Sequence, residues 1–199
     1  SYMAFCTNCG FCSRVVFHRA RRLAAMEGII ARVTGKSCEL LLYDDVLQKL
    51  KASGSADKGL KEIPIKAIVG SVGRYTDFTR NFLPRLDSDE SRWVQVMAAA
   101  TDAYGRGLPP IEVYQIGDVY FVKDGHHRVS IAKQLGATMM EAYVTEVRTK
   151  VPLTPDVQPD DLIVKAEYAD FLERTRLDQT HPAVDLTTTV PGQYEKLQE

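Results

Sequence analysis

Residues 120–136 read Tyr-Phe-Val-Lys-Asp-Gly-His-His-Arg-Val-Ser-Ile-Ala-Lys-Gln-Leu-Gly and concentrate chemically capable side chains between a strand pattern and a helix pattern. A strand ends at Lys123, and Asp124-Gly125 makes a sharp turn in which glycine lets the backbone approach a ligand closely. The first helical turn carries His126, His127 and Arg128. Its free N–H groups and the positive helix end form an anion site. Arg128 adds a planar two-pronged donor suited to phosphate. The histidines can donate hydrogen bonds or exchange protons near neutral pH. Asp124 can orient a histidine or help hold a divalent cation. The plainer alternative is an ordinary Asp-Gly turn, with Asp124 as a helix cap and one histidine buried and satisfied.

A second group is Cys6-Thr-Asn-Cys9-Gly-Phe-Cys12. Three thiols at this spacing suit zinc if Cys38 or His18 supplies a fourth ligand. A ferredoxin-type run would need its next cysteine at position 16, which is Val16. A zinc ribbon would need a second pair, and only Cys38 remains. Metal binding, redox activity or a disulfide, and no cofactor at all are the three readings.

The elements that position these residues follow from periodicity. Residues 13–33 have helical spacing in Val16, Ala20, Leu23, Ala24 and Ile30, with Ser13 as a cap and Gly35 past the end. Asp44–Leu50 reads as a short helix, and the hydrophilic run Ala52–Gly59 as a linker. Ile63, Ile65 and Ile68 around Pro64 suggest an edge strand or a strand start. Residues 88–104 are amphipathic, with Trp93, Val96, Met97, Ala100 and Tyr104 on one face. Ile111–Ile116 and Val119–Val122 form a hairpin around Gly117-Asp118. A helix from His126 to Leu135, a strand over 140–147 and a helix over 161–174 complete the pattern. The expected segments are 1–57, an N-terminal arm with the cysteines and the basic helix; 58–150, the core domain; and 151–199, an acidic extension.

The 199 residues are 45% hydrophobic and 26% charged, as expected of a globular chain. No apolar run approaches the roughly 20 residues of a membrane span, and no leader-like stretch is seen, so a cytoplasmic location without a membrane partner is expected. The net charge of −1 excludes a globally basic nucleic-acid binder, but it conceals +5 in residues 1–36 and −6 in residues 155–199. These arms either pack on one another or are two solvated faces. The basic helix, with Arg14, Arg19, Arg21, Arg22 and Arg32, is either a DNA-phosphate contact or a packing and homo-oligomer helix. There is no Walker loop, dinucleotide glycine fingerprint, His-Glu-x-x-His or Gly-x-Ser-x-Gly.

Ile63-Pro-Ile-Lys-Ala-Ile68, Leu108-Pro-Pro-Ile-Glu-Val-Tyr114, the Gly117-Asp118 hairpin and Asp124-Gly-His-His-Arg128 together resemble the ParB/sulfiredoxin superfamily. They resemble more closely the bacterial ParB-like nuclease domain proteins. The likeness covers roughly residues 60–147. It implies an α+β fold, a small mixed sheet with packed helices, to which helical N-terminal and C-terminal extensions are added here. In the superfamily this turn cradles nucleotide phosphates: ParB proteins carry a Gly-Glu-Arg-Arg type sequence and bind CTP, and sulfiredoxins carry a Gly-Cys-His-Arg type and use ATP. Free-serine kinases carry a sequence resembling Asp124–Arg128. The resemblance makes Gly125, His126, His127 and Arg128 phosphate-site candidates. It adds Arg74 as a phosphate or substrate clamp and Asp77 as a base or cation ligand in the loop after the first strand, for which a solvated loop is the alternative. Position 126 is His, so the sulfiredoxin cysteine is absent, and no ParB-type helix-turn-helix follows the core.

The expected function is nucleotide binding, as a phosphotransferase or nucleotide hydrolase. Asp124, His126, His127 and Asp77 are the catalytic candidates, and a nucleoside di- or triphosphate with magnesium is the cofactor. Alternatives are a DNA-associated regulator or nuclease, and a non-catalytic interaction domain.

Overall fold

In the computed structural model, residues 10–73 and 75–197 are described. Alternation along the hairpin decides where the helices go. In β4 (Ile111–Ile116), Ile111 and Val113 face one core, while Ile116 faces another. In β5 (Val119–Asp124), Val122 joins the first core, and Val119 and Phe121 join the second. Strands buried on both faces need helices on both sides.

The remaining strands are β1 (Leu41–Leu42), β2 (Ala52–Pro64), β3 (Ile68–Ser71) and β6 (Met139–Thr149). The six form one mixed sheet in the order β1-β3-β5-β4-β6-β2. The β1–β3, β3–β5 and β4–β6 pairs are parallel, and β4–β5 and β2–β6 are antiparallel. Helices α1 (Gly10–Thr34), α3 (Glu90–Thr101) and α4 (His126–Gln134) cover the first face through Phe17, Trp93, Met97, Val129 and Ile131. Helices α2 (Tyr43–Leu50) and α5 (Asp161–Thr175) cover the second through Val46, Leu50, Leu162, Phe171 and Leu172. Short helices α6 (Leu177–Thr180) and α7 (Gln193–Lys196) follow, and Tyr194 is buried in the second core. This is the expected α+β class. No helix among the described residues is long and apolar enough to cross a membrane.

The linker expected at 52–59 is instead the first half of β2. It pairs with β6 from Ala52 opposite Thr149 to Pro64 opposite Met139. Register shifts at Ala52/Gly54 and Asp57/Gly59 give the strand bulges, where glycine is at home. Its polar, glycine-rich composition belongs to an exposed edge strand rather than a hinge, and Lys58 pairs with Glu146 at 3.4 Å. A boundary at residue 57 therefore falls inside a strand. Pro64 closes that edge strand, as its missing N–H requires.

The two charged arms do not pair with each other among the described residues. Arg14 and Arg21 of α1 meet Glu90 and Asp87, whereas Asp170 and Glu173 of α5 meet Lys51. The helix predicted over 88–104 stops at Thr101, which leaves Tyr104 beyond its end and fully in solvent.

Candidate functional site

Helix α4 begins at Gly125, whose φ of +114° lies in the left-handed region. A Cβ there would lie 2.4 Å from Ile111 Cγ2, so only glycine seats this turn against β4. The Gly125 carbonyl accepts the Val129 N–H at 3.0 Å, and no side chain caps the helix. The uncapped first turn keeps the electropositive end of α4 available to an anion.

Both histidines are buried. His126 Nε2 is 2.6 Å from Ser71 Oγ at the end of β3, and Tyr75 stacks on its ring at 3.8 Å between centroids. Burial, assisted by His127 and opposed by Asp124, lowers its pKa to about 4. His127 stands edge-on to Phe78 at 5.1 Å, and its Nε2 is buried without a hydrogen-bond partner among the described residues. Burial, and then the positive charge of Arg92, pushes its pKa down against the pull of Asp77. Both imidazoles are neutral at pH 7, able to donate one hydrogen bond and accept one.

Arg128 is already engaged. Its guanidinium pairs with Asp124 and donates to the Pro110 and Pro109 carbonyls, with its side chain 19% exposed. It braces the turn to the Pro109-Pro110 segment that leads into β4, and Asp124 is its counter-ion. The exposed guanidinium beside the site belongs to Arg92 on α3, which makes no ion pair or hydrogen bond among the described residues. Its charge acts on His127, Asp89 and Tyr75. Burial and the neighbouring charge of Asp77 raise the pKa of Asp89, whose Oδ2 is buried without a partner among the described residues. Asp77 is thus tied electrostatically to both His127 and Asp89. Arg74 lies outside the described residues.

Ser71, Tyr75, Asp89 and Arg92 were not singled out from the sequence. Ser71 and Tyr75 flank the glycine loop after β3, which is a local signal. Asp89 and Arg92 reach the site only because α3 packs beside α4, with Trp93 Nε1 donating to Ser130 Oγ at 3.0 Å, and nothing in their spacing announces it.

The cysteine site is altered by α1. Cys6 and Cys9 lie outside the described residues. Cys12 and Cys38 stand toward opposite ends of the helix, where the rise from residue 12 to residue 34 alone spans about 33 Å. The four residues that follow reach back less than half that distance, so Cys38 cannot complete a site with Cys12. His18 is directed to Glu90 at 3.6 Å. No cluster of three or more metal-ligating side chains occurs among the described residues.

Compared with protein-family models, with curated proteins and with solved structures, the chain gives no significant match.

Proposed function

We propose that this chain is a nucleotide-binding protein of the ParB/sulfiredoxin type, in which the open amino end of α4 receives phosphate groups. The carrying observation is the Gly125 turn, packed too tightly against Ile111 for any side chain and left without a cap. The unpartnered His127 Nε2 and the exposed Arg92 beside it support the same reading.

The division of roles differs from that expected by motif alone. Backbone amides and Arg92 take the phosphate charge, and Arg128 with Asp124 holds the turn rigid. Neutral His126 and His127 offer hydrogen bonds without adding charge. Asp77 and Asp89 repel each other, so a divalent cation brought in with the nucleotide would relieve both. Magnesium held there would neutralise phosphate charge, and the unpartnered Asp89 Oδ2 fits that role. Such an arrangement suits phosphoryl transfer or nucleotide hydrolysis, with Asp77 as a cation ligand or the base.

The test is a thermal-shift panel of nucleoside mono-, di- and triphosphates with and without magnesium, run beside a duplex-DNA titration at two salt concentrations. Stabilisation that grows with phosphate number and magnesium supports the reading. No shift from any nucleotide, with DNA binding that collapses as salt rises, would place the function on the arginines of α1 instead.

A further inference from the structure

A second concavity, of about 650 Å³, lies toward the other end of α4, between α1, the start of β3 and the segment around residue 158. Lys133, on its wall, is about 10 Å along the helix from His126. Four cations, Lys36, Lys66, Arg80 and Lys133, line it against one carboxylate, Glu27, with Ile30 and Ile68 supplying apolar surface.

None of the four cations is in an ion pair among the described residues. Arg80 uses Nη2 to hold the Val157 and Pro155 carbonyls, while its Nη1 is buried without a partner among the described residues. Asp156 and Asp161 act on Arg80 from outside the cavity lining. Lys133 meets no carboxylate within ion-pair distance among the described residues; its ammonium sits 5.5 Å from the Phe82 ring centroid. Glu27 spends one oxygen on Asn81 at 2.6 Å and leaves the other buried and unpartnered. Glu27 attracts Lys133, and Asp156 and Asp161 attract Arg80, but neither cation makes an ion pair among the described residues. Holding two cations close together in a partly buried wall on that incomplete compensation is costly, and a bound anion reduces that cost.

We propose that this cavity binds a metabolite-sized organic anion, its phosphate or carboxylate taken by Arg80 and Lys133 and its apolar part lodged against Ile30 and Ile68. The volume is that of a small-molecule site. The site is separate from the amino end of α4 and does not depend on the nucleotide reading.

Phenyl phosphate and benzoate are the probes, titrated into the full chain by calorimetry, with MgATP titrated in parallel. At least one probe is expected to bind, and the stronger one identifies the head group. Lys133→Met should weaken that probe about tenfold or more and leave MgATP affinity unchanged. Lys66→Met, on the exposed rim, should weaken it severalfold without touching the core. The proposal is overturned if neither probe binds at about 10 mM, if both variants bind the probe as the wild type does, or if Lys133→Met loses MgATP together with the probe.

Discussion

Ser71 Oγ lies 2.6 Å from His126 Nε2 and ties the end of β3 to the first turn of α4. The hydroxyl donates a hydrogen bond to the Val72 carbonyl at 3.2 Å, so it can accept one from the imidazole. Ser71→Ala would leave a buried ring nitrogen unpartnered. The expected loss is about 1–3 kcal/mol of stability, read as a lower urea midpoint with an unchanged slope.

The pH dependence follows from the same ring. Burial lowers the His126 pKa to about 4, below the ordinary 6.5. Between those values the unfolded chain binds more protons than the folded one, so stability is full above pH 6.5 and declines as pH falls toward 4. The loss is at most about 3 kcal/mol, with a same-signed contribution from His127. His126→Phe keeps a ring beneath Tyr75 and removes one titration. Its urea midpoint should therefore fall less steeply over that window than the wild type's.

The two arginines near the turn should behave oppositely. Arg128 is largely buried on Asp124 and the Pro110 carbonyl, whereas Arg92 is exposed and unpaired among the described residues. Arg128→Ala should cost about 1–2 kcal/mol of stability. Arg92→Ala should leave the melting temperature almost unchanged and weaken nucleotide binding about tenfold, near the lower end for a hydrogen bond to a charged group. Thermal melts and calorimetry on both variants separate the two roles, and an unchanged affinity in Arg92→Ala would remove it from the phosphate site.

Why the motif pointed to Arg128 and not Arg92 is a matter of range. The hairpin, the Gly125 turn and α4 are written in local alternation and turn residues, and they were legible as elements. Asp124 and Arg128 were legible as chemistry but not as partners, because the pair forms only when the strand end and the helix start meet at Gly125. Arg92 and Asp89 depend on how α3 lies against α4, a contact 37 residues apart at Trp93 and Ser130. β2 was hidden for a different reason. The glycines of its first half sit at bulges and the side chains there are largely exposed, so composition imitates a linker while the backbone satisfies itself against β6.

Gly125→Ala tests the turn itself. Its φ of +114° strains any L side chain, and the new Cβ would overlap Ile111 Cγ2. The backbone must shift, and the expected cost is about 1–3 kcal/mol. If the first-turn amides bind phosphate, nucleotide affinity should fall in the variant even at temperatures where it is fully folded. Full affinity in the folded variant would move the phosphate site elsewhere.

Lys133 should be a stability liability that a substitution relieves. It is mostly buried, and burial lowers its pKa to about 8; Arg80 pushes the same way and Glu27 opposes. The unfolded lysine titrates at the ordinary 10.5, so between pH 8 and 10.5 the unfolded chain binds more protons than the folded one. Stability therefore rises with pH across that window, and below pH 8 the protonated lysine carries the full penalty, at most about 3 kcal/mol. Phe82, Glu27, Arg80 and the cavity cations Lys36 and Lys66 set its surroundings. Lys133→Met keeps the volume and removes the charge, at the loss of a cation–π contact of about 0.5–2 kcal/mol. The variant should be at least as stable as the wild type at pH 7, and its urea midpoint should no longer climb between pH 8 and 10. A variant that is less stable at pH 7, with the wild-type pH slope retained, would mean that the Lys133 ammonium is satisfied in the free protein.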